Sequence, residues 1–218
     1  MILDYLNSDY VAYHELVVDG FMFQAESFFS PSFGIEDNIE GLIIHKNPTT
    51  EKLKTYEGRF INSANRQVRC IAFDEQLTRL NMRNKKIDAW QRCDFFIEVV
   101  ETNAFLVCEL TSTKADFISD FVDTEGRART GKRQKALNQM IAALEKLAVP
   151  ALTNSPLLKF SKRQLCFFNK QVHLPEHTDV LMAFNRQPTY RGYQMQSEVA
   201  AKFGFEYWEF PAPHLCYV

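Results

Sequence analysis

No apolar run in this sequence approaches the ~20 residues that a membrane-spanning helix needs. The opening MILDYLNSDY carries Asp4 and Asp9 where a signal peptide would be basic. Both features predict a soluble, cytoplasmic chain with no membrane partner. No CxxC pair occurs either. Cys70, Cys93, Cys108, Cys166 and Cys216 are odd in number and widely spaced, and three of them lie in apolar runs. That pattern excludes a disulfide framework or a zinc ribbon and fits a reducing compartment. Positive charge is not in excess: 25 basic against 27 acidic residues leave a net charge of −2. A general polyanion binder is therefore excluded, and any contact with DNA or RNA needs a local basic patch. P-loop, GxGxxG and GxSxG sequences are absent, as are internal repeats and low-complexity tracts. His173 and His177 straddle Pro175 with no helical HxxxH context, so the histidines read as structural.

What is present is a chain of globular composition, with 218 residues, 46% hydrophobic and 24% charged. The length suits a single domain over residues 1–218. The 19 phenylalanines demand either a large aromatic core or a sticky surface covered by a partner. The Phe-rich segment Phe21 to Phe29 is the candidate surface for a protein partner or for self-association.

The segment Val11 to Phe29 fits helical spacing loosely, with Gly20 as a bend. Ser30 to Gly34 reads as a loop, and Gly41 to Thr50 as a strand ending in a turn at Asn47-Pro48. Gln67 to Glu75 alternates as a strand, and the basic run around Trp90 reads as a connection. Cys93 to Glu101 and Ala104 to Ser112 are apolar β-formers separated only by Thr102-Asn103, which predicts a hairpin. Strands apolar at nearly every position are covered on both faces, so the hairpin belongs mid-sheet. Ala136, Leu137, Met140, Ile141, Leu144, Leu147 and Ala148 form a helical stripe that Pro150 stops, and Arg163 to Val172 is the next strand. The tail is expected to add a strand and a helix. A strand leaving the hairpin, crossing through the helix and returning is a right-handed crossover. The expected class is α/β, with a mixed central sheet flanked by helices.

Of the acids in the hairpin, Asp94 opens its first strand and Glu109 nears the end of its second. Carboxylates on neighbouring strands make a hard oxygen site of the kind Mg²⁺ or Mn²⁺ takes. Each also has a plainer role. Asp94 can bond a loop amide, and Glu109 can sit in a buried ion pair with Arg92 or Lys132.

The order Cys93-Asp94, apolar run, turn, apolar run, Glu109-Leu110, then a helix bearing Gln139, resembles the PD-(D/E)xK, or restriction-endonuclease-like, nuclease superfamily. The similarity spans residues 67–172 and implies an α/β/α core with N- and C-terminal extensions. It implies metal binding by Asp94 and Glu109, phosphodiester hydrolysis by a metal-bound water, and a polar helix residue at Gln139. Glu26 stands as the carboxylate that a first helix contributes. The motif lysine is replaced by Thr111, so the resemblance assigns its role to Lys114, Lys132 or Lys135. A second expectation comes from the same residues. With Thr111 and a near-neutral charge, the chain would be a catalytically degenerate, structural or adaptor subunit of a mobile-element or antiviral defence complex.

Overall fold

The two faces of the central hairpin carry different partners, and the layering follows from that. The structure is a computed structural model that describes residues 1–84, 87, 90–112, 117–149, 156–170 and 192–218. In chain order the strands are β1 (Glu26–Phe29), β2 (Ser32–Asn38), β3 (Gly41–Lys46), β4 (Gly58–Ile61), β5 (Gln67–Ile71), β6 (Phe95–Val99), β7 (Ala104–Thr111), β8 (Phe121–Val122), β9 (Ala128–Arg129), β10 (Lys162–Asn169), β11 (Tyr193–Met195), β12 (Glu206–Pro211) and β13 (Cys216–Tyr217). Helix α1 (Ile2–Tyr5) runs through a π-helical turn, Leu6–Tyr10, into α2 (Val11–Tyr13). Then come α3 (Thr50–Leu53), α4 (Phe73–Asn84), α5 (Lys132–Ala148) and α6 (Glu198–Lys202).

The large sheet has seven strands in the order β1-β5-β6-β7-β10-β12-β11. Strands β5, β6 and β7 form an antiparallel meander; β7, β10 and β12 are parallel; β1 and β11 close the edges antiparallel. Side chains alternate across it as a pleated strand requires. Phe96, Phe105, Val107, Leu165 and Phe167 face α1, α4 and α5 in one core. Phe95, Ile97, Leu106, Cys108 and Phe168 face a second, four-stranded sheet in the order β13-β4-β2-β3. Every residue of β6 is buried, and all of β7 except Thr111, so the hairpin is sandwiched mid-sheet. Most of the phenylalanines that the composition left unplaced stack in these two cores, as in the Phe33–Phe60 pair at 4.6 Å between centroids.

The α/β class and the mixed sheet flanked by helices are as the sequence indicates. The helix predicted over residues 136–148 is present as α5, and β7 and β10 pair in parallel on either side of it. The structure adds the second sheet, which covers the face opposite the main helices. Other expectations change. Ser30 to Gly34 is not a loop, because β2 starts at Ser32 and buries Phe33 and Ile35. Val11 to Phe29 is helical only to Tyr13, and its last residues form edge strand β1. The strand from Gln67 stops at Ile71, and α4 takes over with Phe73, Leu77 and Leu80 facing the core at i, i+4, i+7. The hairpin turn is longer than two residues. Val99 pairs with Ala104, and Asn103, with φ +50°, donates its N–H to the Val100 carbonyl. The Phe-rich segment is largely interior: Phe23 and Phe28 are buried, while Met22 and Phe29 are exposed. Pro150, His173, Pro175 and His177 lie outside the described residues. All five cysteines are free and buried. No helix among the described residues is long and apolar enough to cross a membrane.

Candidate functional site

Antiparallel pairing of β6 with β7 ends at Phe95–Cys108, and one step beyond it Asp94 and Glu109 come side by side. Each uses its carboxylate to hold the other strand's backbone. Asp94 Oδ2 accepts from the Leu110 N–H at 2.6 Å, and Glu109 Oε2 accepts from the Asp94 N–H at 3.2 Å. This reciprocal clasp continues the ladder with side chains where the backbone pairing stops. Alternation puts Glu109 with Phe105 and Val107 on the face that α5 covers.

The clasp occupies one oxygen of each acid. Asp94 Oδ1 and Glu109 Oε1 have no partner among the described residues, yet neither is among the buried unpartnered polar atoms, so both reach solvent. Burial is the main force on the pair. It pushes the Asp94 carboxyl up to about 7, against the Leu110 hydrogen bond, with Asp37, Asp74 and Glu57 adding their negative charge. It holds Glu109 well above the usual carboxylate range, with the Asp94 charge next in size. Lys132 is near enough to pull Glu109 the other way, but only as the smallest of its influences. No cation among the described residues lies within ion-pair distance of either acid. The field at the site is thus acidic and short of compensation, which favours a cation.

Beside Asp94 opens a cleft of about 420 Å³ between the segment Trp90 to Asp94 and α5. Lys135, Asn138 and Gln139 share one face of α5, at i, i+3 and i+4, and line it. Gln139 Nε2 donates to the Arg92 carbonyl at 3.0 Å, which ties the helix to the strand entering β6. Arg92 turns away from Glu109, with its Nε 3.3 Å from Asp74 Oδ1 and its Nη1 donating to Thr78 Oγ1 at 3.0 Å. The ion pair expected between Glu109 and Arg92 is therefore not formed.

Asp94, Glu109, Lys132, Lys135 and Gln139 are thus gathered around one end of the hairpin. Glu26 is not with them. It lies on edge strand β1 opposite Cys70, ion-paired to Lys46 at 2.7 Å, because its segment forms a strand where a helix was expected. Lys114 lies outside the described residues. No group of three or more His, Cys, Asp or Glu among the described residues is arranged to hold a metal. Two carboxylates with a solvent-facing oxygen each do suit a hard cation that keeps most of its waters.

Sequence reasoning missed the cleft's Trp90, Gln91 and Asn138, although Asn138 shows itself at i+3 from Lys135. It also missed the most deeply buried acid. Glu209 on β12 has no exposure, and Arg133 grips it with Nε–Oε2 at 2.7 Å and Nη2–Oε1 at 3.3 Å. Asn169 Nδ2 donates to the same carboxylate at 2.8 Å. This ion pair pins the first turn of α5 to the sheet. Comparison with family models, with curated proteins and with solved structures gives no match for this chain.

Proposed function

We propose that the chain is a divergent metal-dependent nuclease whose site is the Asp94–Glu109 pair. One observation carries this reading: half-buried Asp94 and buried Glu109, side by side with no ion-pair partner among the described residues, stand beside lysines and a glutamine presented by α5. Buried acids without an ion-pair partner are costly, and such perturbed groups beside a cleft are candidates for a functional site. Asp94 Oδ1 and Glu109 Oε1 would hold Mg²⁺ or Mn²⁺, which supplies Lewis-acid polarisation of a phosphodiester and a water of lowered pKa. The clasp fixes both acids in advance, so the site loses little side-chain freedom on loading. Lys135, exposed on the cleft wall, takes the place that Thr111 leaves empty of charge and meets the phosphate. Lys132 contributes positive potential at Glu109. Gln139 holds the cleft wall in register through Arg92.

The test is cleavage of DNA and RNA, single- and double-stranded, in Mg²⁺ and in Mn²⁺. Glu109→Gln keeps an acceptor for the Asp94 N–H and is expected to abolish cleavage while the urea midpoint does not fall below that of the parent. A purified protein that cuts none of these substrates sinks the catalytic reading. The clasp itself favours a second reading, since it gives both acids a structural task. In that reading the chain is a degenerate adaptor subunit, expected to be indifferent to Mn²⁺ and to run on a sizing column as part of a larger assembly.

A further inference from the structure

The cleft beside Asp94 has an aromatic wall, and that wall suggests what lies in it. Trp90 borders the cleft as a half-buried indole. One side of its ring carries the Lys146 ammonium, 4.5 Å from the centroid, and His14 packs against it edge-on at 5.0 Å. The ring is therefore held at a fixed attitude by α5 and the N-terminal helix. Around it stand groups with hydrogen-bonding capacity to spare. Gln91 is exposed. Asn138 uses its Oδ1 to accept from Gln134 at 2.8 Å, which leaves its amide N–H groups available. Lys135 is exposed and has no ion-pair partner among the described residues.

We propose that this cleft is a nucleotide subsite, in which an unpaired base of a single strand stacks on Trp90 while Lys135 meets the adjoining phosphate and Asn138 and Gln91 face the base edge. The inference rests on the nuclease reading for its class of ligand and deepens it by naming the form of the strand. The geometry supports it in three ways. A volume of about 420 Å³ lies within the ~300–1,000 Å³ of small-ligand pockets, room for one nucleotide unit but not for a paired and stacked duplex. Asp94 lines the same cleft as Trp90, Lys135 and Asn138, so a phosphate between Asp94 and Lys135 has its neighbouring base beside the indole. Every base offers a π-face, so a rigid aromatic wall binds single strands without demanding a sequence. Inside a duplex the same base is stacked and paired, and presenting it costs unpairing energy.

The protein has two tryptophans. Trp208 packs on the small-sheet side of the large sheet, away from the cleft. Trp208→Phe therefore leaves Trp90 as the sole indole. This variant is titrated in EDTA, which removes divalent cations so that nothing is cut. Single-stranded DNA or RNA of about eight nucleotides, within the usual site size, is expected to quench the indole emission. A duplex covalently closed at both ends is expected to leave it unchanged. Trp90→Ala is expected to weaken single-strand binding roughly 5- to 150-fold, read by a labelled oligonucleotide. Trp90→Phe restores much of that loss because it keeps a π-face, which separates stacking from packing. Failure of single strands to bind, binding without quenching, or equal quenching by the closed duplex overturns the proposal. Since cleavage plays no part here, quenching in a protein that never cuts defeats the nuclease reading and leaves the subsite standing. Metal-dependent cutting with no quenching does the reverse.

Discussion

Asp94→Asn should turn a pH-dependent weakness into a pH-independent one. In the folded protein, burial raises the Asp94 carboxyl from 3.8 to about 7, so between those values the folded state holds a proton that the unfolded state has released. Stability changes with pH as the protons bound in the unfolded state minus those bound in the folded state, which here is negative. The folded state is thus fully favoured below about pH 4 and loses stability progressively as pH rises to about 7. A displacement of about 3 pH units, at 1.36 kcal/mol each, sets the loss on the order of 4 kcal/mol. Asparagine mimics the protonated acid, and its Oδ1 can still accept from the Leu110 N–H. The variant should match the parent near pH 4 and exceed it at pH 8. Removing the Asp94 charge also relieves Glu109, which Asp94 helps to raise, and this adds to the gain. Urea unfolding of both proteins in EDTA at pH 4.5, 6 and 8 measures it. Every other titrating group is common to the two chains, so the difference between them reports the Asp94–Glu109 pair. A difference that stays constant across the three pH values, or an asparagine variant weaker at pH 8 than at pH 4.5, would refute the reasoning.

Arg133→Ala strands the fully buried Glu209 with only the Asn169 amide. It should cost roughly 3–5 kcal/mol in urea unfolding, with Arg133→Lys recovering only part because it cannot pair bidentately. A loss under about 1 kcal/mol would mean that the pair does not hold α5 to the sheet. Gly34→Ala places a methyl inside the Tyr56 ring, which is itself stacked on His45, so that stack must move. A loss of about 1–3 kcal/mol is expected, and an unchanged urea midpoint would show that the ring shifts freely.

The central part of the fold was readable because its signals are local. Two continuous apolar runs made the hairpin, and the stripe from Ala136 to Leu147 made α5. The second sheet was not readable, because its pairings are distant in sequence and its strands short. β4 has four residues, and its neighbours are β2 and the far C-terminal β13, with Cys216 opposite Phe60. Helix α4 hid behind an overlong strand: its Phe73, Leu77, Leu80 stripe was in plain sight, but the basic run after it reads as a connection. At the site, Asp94 and Glu109 announced themselves as acids in apolar strands. Trp90 did not, since nothing in the sequence says which side of α5 it meets. Glu26 stands apart because its segment forms edge strand β1 and not a helix.

Glu109 and Glu209 show why position alone could not sort function from structure. Both face Phe167 across neighbouring ladders, one from β7 and one from β12, so they lie in one row on either side of β10. Both are buried acids on the same sheet. What separates them is α5. Arg133 projects onto Glu209 and forms two charge-assisted bonds, which discharge the cost of burying that carboxylate. Lys132 is the preceding residue on the same turn, and it influences Glu109 only from beyond ion-pair distance. A helix that can compensate one acid fully leaves its neighbour short of positive charge. The pinned Arg133–Glu209 pair keeps that shortage in place, because it fixes the register from which Lys132 and Lys135 extend. Glu109, with Asp94 beside it, is therefore the member of this row that no cation among the described residues pairs, and the proposed metal reading builds on that difference.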